Sequence, residues 1–270
     1  MKNILCVIDT IDIDSNRDIL KRGVEFAKIF NSKVIIVYTI HIPFFDLPIY
    51  SEKNFLIDKS RIRDKIEENF KQIADLNLLH YISIDFGDKI DRAILEAKRD
   101  GVNIVVVGDN IDYERLLSGA KKSLLVVKSG YREYKDILFP TDLSKKSKES
   151  IKFTKRYLKG ADFKLVYAYE SVAVGMSMYD ISYFGMVEIQ EENRDIALRL
   201  FNEFKREVEL DGDFIDVGVS VPLSLIEYIN QKSVDLVVVA SHIGENGHLL
   251  IGSVSSFLAK ELKCDIFIYN

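Results

Sequence analysis

Lys2-Asn3-Ile4-Leu5 returns 133 residues later as Lys135-Asp136-Ile137-Leu138, and Asp9, the acid closing the first run, returns as Asp142. Val102-Asn103-Ile104-Val105-Val106-Val107 returns at an offset of 132 as Val234-Asp235-Leu236-Val237-Val238-Val239. The last apolar runs, 123–127 and 264–268, stand 141 apart, so the first copy is shorter by 9 residues just before its end. The second copy keeps there Ser241-His242-Ile243-Gly244-Glu245-Asn246-Gly247 and then Ile251-Gly252-Ser253-Val254-Ser255. A chain that repeats itself at this spacing folds as two copies of one unit, and only the second copy has a glycine loop able to hold a phosphate. The 270 residues divide into domains at 1–130 and 135–270, each of ordinary size.

Each copy alternates strand and helix. In the first, Ile4–Ile8, Val34–Ile40, Tyr81–Phe86, Ile104–Val107 and Leu124–Lys128 read as strands. Helices fall between them: one after Ser15 carries Ile19, Leu20, Val24, Ala27 and Phe30, another spans Asp58–Leu76, and a third spans Ile90–Lys98. In the second copy the strands are Ile137–Thr141, Phe163–Tyr169, Phe214–Val219, Leu236–Ala240 and Asp265–Tyr269. Its helices are Lys145–Leu158, Val187–Leu210, Leu223–Gln231 and Ser253–Leu262. Strands without polar alternation are buried on both faces, which calls for a parallel sheet covered by helices. The pattern therefore predicts an α/β protein with two doubly wound five-stranded parallel sheets, each of strand order 3-2-1-4-5. The linker Gly130–Tyr134 is short and not rich in proline or serine, so the two domains are expected to pair within the chain, covering their last strands.

Net charge is −5, with 20 basic and 20 acidic residues in 1–130 against 17 and 22 in the remainder. No basic cluster is long enough to follow a nucleic-acid backbone, so no nucleic-acid partner is expected. No apolar stretch approaches the ~18–20 residues that span a bilayer, which argues against a membrane partner. The N-terminus runs directly into a strand and shows no cleavable signal pattern. Two lone cysteines, Cys6 and Cys264, within or beside strands, suit a reducing cytoplasm, where each reads best as a small buried apolar residue.

Ile137-Leu138-Phe139-Pro140-Thr141-Asp142-Leu143-Ser144, followed by a helix and Lys164-Leu165-Val166-Tyr167-Ala168-Tyr169, resembles the opening of a universal stress protein domain. Asp235–His242, Gly252-Ser253-Val254-Ser255 and a closing apolar strand resemble its end. The likeness covers nearly the whole chain as a tandem pair, strong in 135–270 and weaker in 1–130. It implies an adenine nucleotide alpha hydrolase-like fold and ATP or AMP as ligand, with Mg²⁺ able to accompany the phosphates. Other members of that family bind no nucleotide and act through dimerisation, so a homodimer stays open. Nucleotide-binding members carry Gly-x2-Gly-x9-Gly-Ser/Thr, and this chain departs from that loop. Aligned on Ser241-His242, the first two glycines become Ala240 and Ile243, with eight residues before Gly252. Gly244 and Gly247 do form a Gly-x2-Gly, four residues from Gly252.

Ligands of such sheets bind beyond the carboxyl ends of the strands, where the order reverses. That rule directs attention to Pro140, Thr141 and Asp142 and to the stretch from Ala240 to Ser255, taking in Ser241, His242, Gly244, Gly247, Gly252, Ser253 and Val254. The helix opening at Gly252-Ser253 presents free N–H groups to an anion, with the hydroxyls of Ser253 and Ser255 beside them. Equally, Ser253 suits a plain helix cap. Asp142 suits ribose hydroxyls or a turn; Ala168 and Tyr169 suit an adenine wall, Tyr169 equally the core. His242 and His248 lack a third ligand at metal-like spacing, so no metal site is expected. In the first copy Asp9, Asp12, Asp14, Asp109 and Asp112 crowd the equivalent crevice, so it is expected to hold no nucleotide. No Ser-His-Asp order and no lysine-bearing phosphate loop is present, which leaves slow hydrolysis of a bound nucleotide as the most an enzyme reading supports. The sequence thus reads as a cytoplasmic regulatory module with a nucleotide in its second domain, the alternative being a ligand-free scaffold. The segments 41–55 and 171–186, rich in aromatic residues or methionine, suit lids, contact surfaces or covers of their own cores.

Overall fold

A computed structural model describes residues 3–40, 58–75, 77–99, 101–128, 130–171, 183–243, 249–250 and 252–270. The segment 41–55 and residues 172–182 of the second segment singled out above lie outside the described residues. The chain divides into two compact units, the first comprising Met1–Tyr131 with Ile243–Ile251 and Asn270, the second Arg132–His242 and Gly252–Tyr269.

The first unit contains β1 (Asn3–Ile8), α1 (Ile13–Phe30), β2 (Val34–Ile40), α2 (Lys59–Lys71), β3 (His80–Phe86), α3 (Lys89–Ala97), β4 (Val102–Gly108), α4 (Tyr113–Ala120) and β5 (Ser123–Val127). All six residues of β1 are buried, as its unbroken apolar run requires. Its strands lie in the order β3-β2-β1-β4-β5, each pair parallel. Helix α1 starts at Asp12, whose carboxylate accepts from Ser15 N, and stops where Asn31 turns left-handed at φ 47°. Here Gly23 lets the helix lie directly on β1, since a Cβ at that position would stand 2.1 Å from Cys6 Sγ. Gly23→Ala is therefore expected to lower the unfolding free energy by about 1–3 kcal/mol. Urea denaturation checks this, and the loss should shrink in a Cys6→Ala background, which removes the obstructing sulfur.

The second unit contains β6 (Asp136–Pro140), α5 (Lys145–Tyr157), β7 (Asp162–Tyr169), α6 (Tyr183–Val208), β8 (Asp211–Asp216), α7 (Val221–Asn230) and β9 (Leu236–Ala240). In chain order the two-residue strands β10 (His242–Ile243) and β11 (Leu249–Leu250) come next, β11 being grouped with the first unit, and then α8 (Ser253–Glu261) and β12 (Asp265–Tyr269) of the second. The main strands lie in the order β8-β7-β6-β9-β12, again all parallel, which is the expected 3-2-1-4-5 arrangement. The third strand of this copy sits earlier than its apolar run suggests, at Asp211–Asp216 and not at Phe214–Val219. As a half-exposed edge strand it takes its register from β7, pairing Asp211 with Lys164 and Gly212 with Leu165, and leaves Val219 80% exposed. No helix among the described residues is long and apolar enough to cross a membrane.

Candidate functional site

In the second unit the strand order reverses between β6 and β9, and a cavity of about 380 Å³ opens beyond their carboxyl ends. That volume falls within the ~300–1,000 Å³ usual for small-molecule sites. Pro140, Thr141 and Asp142 line it from the end of β6, Ala168 from β7 and Ala240 from β9. Gly252, Ser253, Val254 and Ser255 line it from the start of α8. Sequence reasoning missed Ser147 of α5, Tyr167 of β7, Val239 of β9, and Val221 and Leu225 of α7. Helix amphipathicity identified α7 but not which of its apolar residues would face a ligand and which the core.

Gly252 is the N-cap of α8, with no side-chain cap among the described residues, and the first internal bond runs from Ser256 N to Gly252 O at 2.9 Å. The preceding N–H groups of Ser253, Val254 and Ser255 are those a helix leaves unsatisfied. Ser255 is 6% exposed and lines the cavity.

Asp142 sits at the mouth and already has work in the fold. Its Oδ1 accepts from Ser144 N at 3.0 Å and from Ser147 Oγ at 2.6 Å. Thr141 Oγ1 accepts from Leu143 N at 3.0 Å, while Leu143 is left-handed at φ 62°. Ser144 in turn caps α5 through Ser147 N. The β6–α5 turn thus fixes the carboxylate in place beside the cavity.

Of the other expected residues, Tyr169 faces the core, 9% exposed and stacked on Phe214 at 5.7 Å. Tyr167, two residues earlier, is the tyrosine at the cavity, held between Phe201 at 5.7 Å and Phe214 at 5.6 Å. Burial, followed by the neighbouring Tyr169 and Asp142, pushes its phenol above the ordinary value, so it remains a neutral donor. The Tyr169 hydroxyl is buried and unpartnered. Tyr169→Phe should consequently leave stability unchanged or raise it by up to about 1 kcal/mol, read from thermal and urea unfolding. Ser241 is buried and donates its N–H to Tyr269 O at 2.8 Å, extending the β9–β12 ladder. His242 contributes its backbone to β10, and Gly244 and Gly247 lie outside the described residues. Among the described residues no three His, Cys, Asp or Glu side chains are grouped to hold a metal.

The corresponding crevice of the first unit is built differently. The Lys89 ammonium bonds the Asp9 carboxylate and, at 3.1 Å, the Asn110 carbonyl. Lys128, its side chain 3% exposed, pairs with Asp109 at 3.0 Å, and Tyr113 Oη donates to the same carboxylate at 2.6 Å. Asp12 and Asp112 cap α1 and α4. Asp9 and Asp109 are thus matched by lysines, Asp12 and Asp112 are engaged as caps, and Asp14 pairs with Arg17 at 2.9 Å, so the expected repulsion is largely cancelled from within. What the cleft presents to an anion is a set of committed cations.

Two copies of a doubly wound parallel sheet, with a cavity at the switch point of the second, define an α/β protein. The sequence profile of the universal stress protein family matches residues 133–270, and the chain belongs to that family. A functionally unknown protein from Pseudomonas aeruginosa PAO1 is similar in structure with a TM-score of 0.67 at 12% identity, over 100% of this chain and 92% of its own. A universal stress protein from Archaeoglobus fulgidus DSM 4304 gives a TM-score of 0.61 at 13% identity, over 100% of this chain and 99% of its own. At such identities the likeness speaks for the fold alone. No curated protein matches the chain in sequence.

Proposed function

We propose that this protein is a cytoplasmic stress-response module whose second domain binds an adenine nucleotide, ATP or AMP, and whose first domain is its structural partner within the chain. The observation that carries the reading is the start of α8, where Gly252, Ser253, Val254 and Ser255 line a cavity and no side-chain cap is made among the described residues. Phosphate oxygens would be received there, as helix N-termini receive anions generally. The apolar surfaces of Ala168, Ala240, Val221 and Leu225 would take the base, and Asp142 would lie beside the ribose. Any Mg²⁺ would accompany the phosphates, because Asp142 is the single carboxylate among the described lining residues.

Thermal unfolding with and without ATP and AMP tests this. A ligand at a hundredfold its dissociation constant should stabilise the fold by about 2.7 kcal/mol. A second reading, a scaffold acting through protein contacts, draws support from Asp142, whose Oδ1 already serves Ser144 N and Ser147 Oγ. Absence of a shift with either nucleotide would favour that scaffold. Steady turnover of ATP by purified protein would revive an enzymatic role for the same crevice.

A further inference from the structure

We infer that the outer edge of the first unit's sheet, strand β3, pairs antiparallel with β3 of a second copy of this chain about a twofold axis. Strand β3 ends the order of its unit and bonds β2 alone among the described residues. Leu79 O accepts from Val34 N at 3.0 Å and Gly87 N donates to Ile40 O at 3.3 Å, so the odd-numbered residues turn their peptide groups toward β2. His80, Ile82, Ile84 and Phe86 turn theirs outward. The Phe86 N–H is taken by Asp85 Oδ1 at 2.9 Å, which leaves an outward ladder centred on Ile82 and Ile84.

The side chains along this edge do little to keep another strand away. Leu79 is 73% exposed, and Tyr81, Phe86 and Leu95 of α3 are exposed as well. Single exposed apolar residues are ordinary, but these gather along one unpaired strand. The edge strand of the second unit, β8, is guarded by Asp211, Asp213 and Asp216, so that self-pairing would set acid against acid. Strand β3 has a single acid, Asp85, and no lysine, glycine or proline.

Asp85 also selects the occupant. The Phe86 N–H, with Lys59 and Arg92 at 3.3 and 2.9 Å, holds its carboxyl below the usual range, so one end of the strand carries an anion. At the other end Arg99, which pairs with Glu96, lies 6.0 Å from the Tyr81 ring centroid. Antiparallel pairing centred on Ser83 matches Ile82 with Ile84 of the second copy and sets Asp85 against Tyr81 and its Arg99. A strand with opposite signs at its two ends is complementary to itself under a twofold, and every favourable contact is made twice. One short strand pair with a few exposed side chains makes a small interface, so the association is expected to be weak and reversible.

Sedimentation velocity of the full-length protein from low to high micromolar concentration, with hydrogen exchange of peptides covering 79–87, tests this. The expected result is a monomer–dimer equilibrium in which protection of the Ile82 and Ile84 amides rises with concentration. Tyr81→Glu sets like charges opposite each other on both sides of the axis and should weaken the dimer by about tenfold or more, whereas Tyr81→Lys should leave it within about threefold. Leu79→Glu, just outside the strand, should weaken it as well, and thermal unfolding of the dilute variants checks that each keeps its fold. A monomer at every concentration overturns the inference, whether the β3 amides exchange freely or are protected throughout by another part of the chain. So does a dimer indifferent to Tyr81→Glu and Leu79→Glu, or one that Tyr81→Lys damages as much as Tyr81→Glu.

Discussion

Phe201→Ala is expected to lower the unfolding free energy by about 3–5 kcal/mol, a large share of the ~5–15 kcal/mol typical of a domain. Phe201 is 1% exposed on the inner face of α6 and stacks on Tyr167, whose ring also lines the cavity. Its removal leaves a void that Phe214, 6.2 Å away between ring centroids, is too constrained to fill. The same void withdraws the support behind Tyr167, so the variant should also bind nucleotide less well where it remains folded. Urea unfolding measures the first effect and titration the second. A cost below about 1 kcal/mol would mean that α6 is not packed as described.

The second large effect concerns binding alone. Gly252 adopts φ −53°, ψ 147°, a backbone conformation open to any residue, so Gly252→Phe introduces no backbone strain. It does place a bulky side chain at the entrance of α8, where the glycine now leaves the amides approachable. The nucleotide-dependent stabilisation, about 2.7 kcal/mol at a hundredfold excess over the dissociation constant, should disappear. Unfolding without ligand should move little, and Gly252→Ala should fall between the two proteins. An undiminished shift in Gly252→Phe would place the phosphate somewhere other than α8.

Strand–helix alternation carried the fold, because buried parallel strands declare themselves as unbroken apolar runs such as Ile4–Ile8 and Leu236–Ala240. Edge strand β8 was the exception. Its pairing with β7 is made by backbone groups, and exposed residues such as Asp211 and Asp213 give no apolar signal. At the crevice, Pro140 to Asp142 and Gly252 to Ser255 were legible from chain order and the switch-point rule. Tyr167 and Tyr169 were not separable in that way. They share one side of β7, and which of them borders open space depends on how Phe201 and Phe214 fill the remainder. The lysines of the first unit were equally illegible. Lys89 lies 80 positions from Asp9, and nothing local in the sequence announces that they meet.

That meeting of Lys89 with Asp9 and the Asn110 carbonyl has a consequence for dose response. A cleft carrying its own counter-ion gains little from a solute's charge, so on the proposed reading duplication is expected to leave a single seat. Such a chain would fill along a plain hyperbola at unit stoichiometry, a graded gauge of concentration instead of a cooperative switch.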